Sequence, residues 1–172
     1  MVKIGLQFQA QLENVTGLKP EDDEFRWYLK LKCNSCGDVP KNWQYVNQTE
    51  SSDLNGGRGS ANAVIKCKLC SRENSIDIIK ESVASYDFAD SGKFKTLVAF
   101  DCRGLEPVDF SPRNGWTCKG YLAAEDNDDE EGKEGSDFND VDLAEEEWAD
   151  YDEKIEESTM ISEMKSQFVK MK

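Results

Sequence analysis

Six cysteines and no histidine define the chemistry open to this 172-residue chain. Four of the cysteines fall in two C-x-x-C units, Cys33-Asn34-Ser35-Cys36 and Cys67-Lys68-Leu69-Cys70. Two thiolates two residues apart grip one face of a tetrahedral ion, and a second pair closes the opposite face. One such unit alone also serves as a redox centre; two units together point to a zinc site on Cys33, Cys36, Cys67 and Cys70, with one Zn2+ per chain. Four protein sulfurs leave no open position for water or substrate, so the expected ion is structural and not catalytic. Gly37 directly after the first pair suits a tight turn, because glycine tolerates positive φ. Residues 37–66 separate the pairs, a longer spacer than the 15–20 residues of common four-cysteine zinc patterns. That spacer must carry structure of its own.

Other constellations are weaker. Cys102 and Cys118 stand alone in strand-like surroundings; Cys102 reads as a buried small hydrophobe, and the role of Cys118 stays open. Gly57-Arg58-Gly59-Ser60 lacks the Gly-Lys-Ser/Thr ending of a phosphate-binding loop, so a hairpin turn is expected there. An EF-hand beginning at Asp126 fails, since its sixth position is Glu131 instead of glycine and its twelfth is Asp137 instead of glutamate. Without histidine no Ser-His-Asp or Cys-His site can be built. No catalytic residue and no cofactor besides zinc is assigned.

The elements that would position the cysteines read as strands. Ile4, Leu6, Phe8, Ala10 and Leu12 alternate with polar residues, which predicts a half-buried strand over residues 3–12. Residues 14–22 carry Gly17 and Pro20 and read as a loop. Phe25, Trp27, Leu29 and Leu31 form one face of a strand that delivers Cys33, with Arg26, Tyr28, Lys30 and Lys32 on the other face. Residues 43–46 and 61–66 are further strands, the second delivering Cys67, with a hairpin loop at 55–60 between them. Residues 75–86 and 94–102 are strand-like, residues 103–112 read as irregular because of Pro107 and Pro112, and residues 159–171 close the chain as a strand. Ala144, Trp148, Tyr151 and Ile155 are spaced for one side of a short helix. The class is mainly β, in two β-rich halves: a zinc-binding lobe at 1–86 and a second lobe at 87–172. The second carries an acidic, disordered insertion near 125–136. Phe25 to Cys33 and Phe94 to Cys102 share one spacing, each followed within four residues by glycine, which suggests that the halves are pseudo-repeats.

The net charge of −14 is confined to one end. Residues 1–120 hold 16 acidic and 16 basic side chains, whereas residues 121–172 hold 19 acidic and 5 basic. Residues 26–72 carry 8 basic and 3 acidic side chains, a local +5, in which Lys32, Lys66, Lys68 and Arg72 are expected to offset a zinc–thiolate cluster of −2. The same face, Arg26, Tyr28, Lys30 and Lys32, has the basic–aromatic interleaving of single-stranded nucleic-acid binders. No apolar run is long enough to span a bilayer, and no signal peptide leads the chain. Paired cysteines then belong to a reducing compartment, the cytoplasm and secondarily the nucleus.

The chain resembles the eukaryotic CXXC-motif-containing zinc-binding protein family over nearly its whole length. Leu12-Glu13-Asn14-Val15-Thr16, Phe25-Arg26-Trp27-Tyr28-Leu29-Lys30, Gly56-Gly57-Arg58-Gly59-Ser60-Ala61 and Lys66-Cys67-Lys68-Leu69-Cys70 carry the likeness. Arg72-Glu73-Asn74-Ser75-Ile76, Cys102-Arg103-Gly104-Leu105-Glu106-Pro107-Val108-Asp109-Phe110 and Asp150-Tyr151-Asp152-Glu153-Lys154 extend it. The resemblance implies zinc on the same four cysteines, a largely β fold of two related halves and an intracellular setting, and it brings no enzymatic activity. The functional expectation is a monomeric, non-enzymatic zinc protein that works by binding an unidentified protein partner, away from membranes. A metal or thiol exchanger using the C-x-x-C pairs, or an RNA-binding zinc ribbon, are the alternatives.

Overall fold

The computed structural model describes residues 2–54, 59–124 and 132–172. The fold is organised on β1 (Val2–Glu13), whose inward residues Ile4, Leu6, Phe8, Ala10 and Leu12 are all buried. It lies inside a six-stranded antiparallel sheet ordered β13-β14-β1-β9-β8-β7. In chain order these strands are β7 (Ala63–Lys66), β8 (Glu73–Ile79), β9 (Lys95–Arg103), β13 (Trp148–Asp152) and β14 (Glu157–Met171). Both ladders of β1 slip by a residue, between Leu6 and Gln7 against β9 and between Gln9 and Gln11 against β14. Such bulges bend a strand and raise its twist, which curls the sheet. The halves 1–86 and 87–172 each supply three strands to this sheet and share one hydrophobic core.

Two three-stranded sheets accompany the six-stranded one. One is β10-β3-β4, from β3 (Trp27–Cys33), β4 (Gln44–Val46) and β10 (Leu105–Ser111). The other is β12-β11-β2, from β2 (Val15–Pro20), β11 (Trp116–Leu122) and β12 (Lys133–Val141). A two-stranded ladder joins β5 (Ser52–Asp53) to β6 (Ser60–Ala61). Aromatic rings fill the centre: Trp116 packs on Phe25 at 4.8 Å, Trp27 at 5.8 Å and Phe8 at 6.4 Å between centroids. Tyr86, fully buried, accepts a hydrogen bond from Ala10 N–H at 3.2 Å, and its hydroxyl lies 2.6 Å from the carbonyls of Asp90 and Lys93.

The mainly β expectation holds, with four corrections in detail, the first being that the strand expected over 75–86 ends at Ile79 and gives way to a 3-10 turn at Lys80–Ser82. Residues 14–22 are not a loop: β2 pairs with β11, and Gly17 keeps its positive φ of 66° within that strand. Residues 103–112 are not irregular, because β10 is an edge strand, where a missing proline N–H is tolerated, and the ladder slips between Pro107 and Asp109. The expected helix around residues 144–155 is strand β13, paired with β14. Glu146 at φ 62° turns the chain out of helical geometry, and the residues buried here are Leu143, Asp152 and Ile155, while Ala144 and Tyr151 are exposed. The acidic run lies outside the described residues as far as Glu131; from Lys133 onward the chain is β12. The hairpin loop expected at 55–60 also lies mostly outside them, though its flanks pair through β5 and β6.

Candidate metal centre

Strand β3 ends on Cys33, and β7 runs into Cys67, so the two sheets present their C-x-x-C units to each other. Each unit is closed by the same pair of backbone hydrogen bonds. Cys33 N–H donates to the Asp38 carbonyl at 2.9 Å and Gly37 N–H to the Cys33 carbonyl at 2.7 Å. At the second unit, Cys67 N–H donates to the Arg72 carbonyl and Ser71 N–H to the Cys67 carbonyl, both at 2.8 Å. The turn demands a left-handed residue at its fifth position: Gly37 has φ 80°, and Ser71 adopts φ 65° despite its side chain.

The four thiols Cys33, Cys36, Cys67 and Cys70 lie within 4.8 Å of one another. Across the knuckles, Cys33 Sγ is 3.7 Å from Cys70 Sγ and Cys36 Sγ is 3.6 Å from Cys67 Sγ. A tetrahedron with zinc–sulfur bonds of about 2.3 Å has edges of about 3.8 Å, so the donor set fits a zinc ion in size as well as in softness. Cys33 and Cys67 are buried, and Cys36 and Cys70 are exposed.

The surroundings favour a thiolate at Cys33. A hydrogen bond from the Asn74 amide, then the backbone N–H groups of Cys36 and Ser35, lower its thiol to about 6 against the opposing effect of burial. At Cys36 the Asp38 N–H also favours the anion, but burial and the neighbouring thiols Cys67, Cys70 and Cys33 prevail and raise it to about 12.

Cys102 and Cys118 join no cluster among the described residues; both are buried core side chains whose thiols burial pushes up to about 12. Two participants escaped the sequence reading. Ser71 carried no turn signal of its own, and Asn74 lies 41 positions from the sulfur it approaches. Gly104 gives its carbonyl to Asn34 N–H at 3.0 Å and so ties the first knuckle to the β9–β10 turn.

Residues 5–169 match the eukaryotic family described as CXXC motif containing zinc binding protein. The Bos taurus protein of that name is 51% identical over 170 residues, covering 99% of both chains, and the Homo sapiens one is 49% identical over the same length and share. Among solved structures, the crystal structure of C1orf123 has a TM-score of 0.86 at 48% identity and covers 98% of this chain and 99% of its own. A hypothetical protein from Plasmodium falciparum, 24% identical with a TM-score of 0.81, shares the fold. The chain belongs to the eukaryotic CXXC-motif-containing zinc-binding protein family.

Proposed function

We propose that this protein holds one zinc ion on Cys33, Cys36, Cys67 and Cys70 as a structural staple and acts, without catalysis, by binding another protein. The observation that carries the reading is the complete set of four sulfurs at tetrahedral spacing, supplied by two different sheets. The bound ion would supply charge neutralisation and cross-linking; structural zinc contributes about 10–16 kcal/mol of apparent binding free energy in model peptides. Cys33 anchors the β3 side, Cys67 anchors the β7–β8 hairpin, and Asn74 orients the buried sulfur between them. A full protein shell leaves no coordination position for substrate, and the absence of histidine from the sequence removes the commonest general base. Among the described residues no helix is long and apolar enough to cross a membrane. We place the protein in the reducing cytoplasm or nucleus, where thiols stay available to zinc.

Metal analysis of the purified, reduced protein tests the first half: one zinc per chain is expected, and zero or two would overturn it. Capture of a protein by the wild type, lost in the Cys33→Ser, Cys67→Ser double variant, tests the second half.

The exposure of Cys36 and Cys70 favours a second reading, zinc exchange, because a sulfur open to solvent is open to oxidants and to competing ligands. Mild peroxide with a colorimetric chelator separates the two. Release within minutes from a still-folded protein, reversed by reductant, supports exchange; release only on global unfolding supports the staple.

A further inference from the structure

A cleft of about 400 Å3 opens beside the knuckles, with Cys33 and Cys67 in its lining. Its apolar wall is Leu31, Trp43, Ile65 and Leu105, and Lys66 and Lys68 stand at its mouth, both exposed. Asp38 is the single carboxylate in that lining. Leu69, at the tip of the second knuckle, is 70% exposed, and Val39 beside the first is exposed as well. Among the described residues Lys41, Lys66, Lys68 and Arg72 make no ion pair. Against Asp38 and a zinc–thiolate cluster of −2, these four cations leave a net positive charge beside the apolar surface.

Two classes of anion would satisfy that charge, and the aromatic residues decide between them. Binding of a single-stranded nucleic acid uses open ring faces on which bases stack. Here Arg26 covers Tyr45 at 4.4 Å, Lys30 covers Trp43 at 4.8 Å and Arg113 covers Tyr28 at 3.9 Å. Each of these rings has one face taken by a cation of its own chain, and Tyr28 and Tyr45 lie outside the cleft, which leaves Trp43 as its single aromatic wall. Carboxylates need no ring face, and the cleft is of a size that takes an apolar side chain.

We propose that this cleft docks an acidic peptide segment of a partner protein, with one apolar residue anchored against Leu31, Trp43, Ile65 and Leu105 and its flanking carboxylates on Lys66 and Lys68. The proposal rests on the protein-binding reading above and names the chemistry of the partner.

Fluorescence anisotropy on the full, zinc-loaded chain tests it, with a labelled nonapeptide of glutamates around a central leucine as probe. Saturable binding is expected, weakened about tenfold by a central alanine, by Trp43→Ala, and by the Lys66→Glu, Lys68→Glu double variant. Zinc content and circular dichroism are read on every variant; if the lysine variant loses zinc, Trp43→Ala, which leaves both knuckles intact, decides. Absence of saturable binding, equal binding to the variants, tighter binding of a nine-nucleotide oligouridylate, or self-association that the peptide does not compete with would each overturn it. A cellular protein captured equally by wild type and by the lysine variant would remove this face while leaving the protein-binding reading in place.

Discussion

The Asn74 side-chain amide lies 3.4 Å from Cys33 Sγ, in a residue only 3% exposed. Turned the other way, the same NH2 would donate to the carbonyls of Glu73 at 3.3 Å and Gly104 at 3.1 Å. The amide thus has two orientations, one with its NH2 on the sulfur and one with its NH2 on the two backbone acceptors. A metal-bound thiolate accepts hydrogen bonds and offers none, so a bound zinc ion would favour the orientation with the NH2 on Cys33.

Replacing Asn74 therefore reaches the metal without touching a ligand. Asn74→Leu should lower zinc affinity about 10–100-fold, the range found for outer-shell partners of metal ligands. Asn74→Asp should lower it further, because a carboxylate adds negative charge beside four thiolates. Competitive chelator titration reads both; unchanged affinity in Asn74→Leu would show that the amide is packing alone.

Gly104 holds the other side of that amide. Its φ is 75°, and a Cβ there would run into Asn74 Oδ1. Gly104→Ala should destabilise the fold by about 1–3 kcal/mol from strained backbone and the displaced amide. In a protein of this size that is a fall in Tm of about 2–4 °C per kcal/mol, with zinc affinity falling in parallel.

The matched turns make a reciprocal prediction. Gly37 and Ser71 occupy equivalent positions at positive φ, and a Cβ at Gly37 would meet nothing within 4 Å. The backbone alone then sets the effect. Gly37→Ala should lose about 1 kcal/mol, and Ser71→Gly should gain up to a similar amount, since a left-handed L-residue costs about 1–2 kcal/mol before glycine's extra entropy is counted. Thermal melts of the zinc-loaded variants should move in opposite directions.

Acid sensitivity should centre on Asp152. Burial works to raise its carboxyl, but Ser136 N–H, the Ser136 hydroxyl, and the N–H groups of Lys154 and Ile155 outweigh that and hold it below the usual carboxylate range. The Ser136 bonds are 2.8 Å each, and the carboxylate fits against Gly120 and Gly135, where no side chain stands in its way. A carboxyl depressed in the folded state contributes stability that is present above its unfolded value near 4 and lost as pH falls through the folded one. Asp152→Asn should cost about 2 kcal/mol at neutral pH, because an NH2 would face donors. It should also flatten the acid limb of a pH-dependent melting series; an unaltered limb would place the sensitivity elsewhere.

Residues with a strict period announced themselves. Ile4 to Leu12 and Trp27 to Leu31 alternate because one sheet face is buried, and a period of two admits one geometry. The four cysteines were legible for a similar reason: few residue types and a fixed spacing. Where tertiary pairing overrides local preference the sequence was silent or misleading. Pro107 lies in an edge strand, Gly17 inside a ladder, and the helix-like spacing of Trp148 and Tyr151 belongs to a strand held by β14. Asn74 lay in the family-like run Arg72–Ile76 with nothing to mark it as a sulfur partner, because that role exists only once β8 brings it to Cys33.

The six thiols should separate into two classes by reactivity. Cys102 and Cys118 are 2% and 3% exposed, and burial lifts both thiols to about 12, so almost no thiolate exists there at neutral pH. In the cluster, a bound zinc ion would engage all four sulfurs at once. Native, zinc-loaded protein should therefore react slowly with a thiol reagent, and chelation should release four fast thiols while two remain protected. Cys70, being exposed, should lead the reaction, and Cys36, exposed but held protonated, should follow. Mass spectrometry of alkylated peptides assigns the sites. Rapid labelling of Cys102 or Cys118 in metal-depleted protein would mean that the core opens when the staple is lost, and labelling confined to the four knuckle cysteines would mean that the shared core stands without the metal.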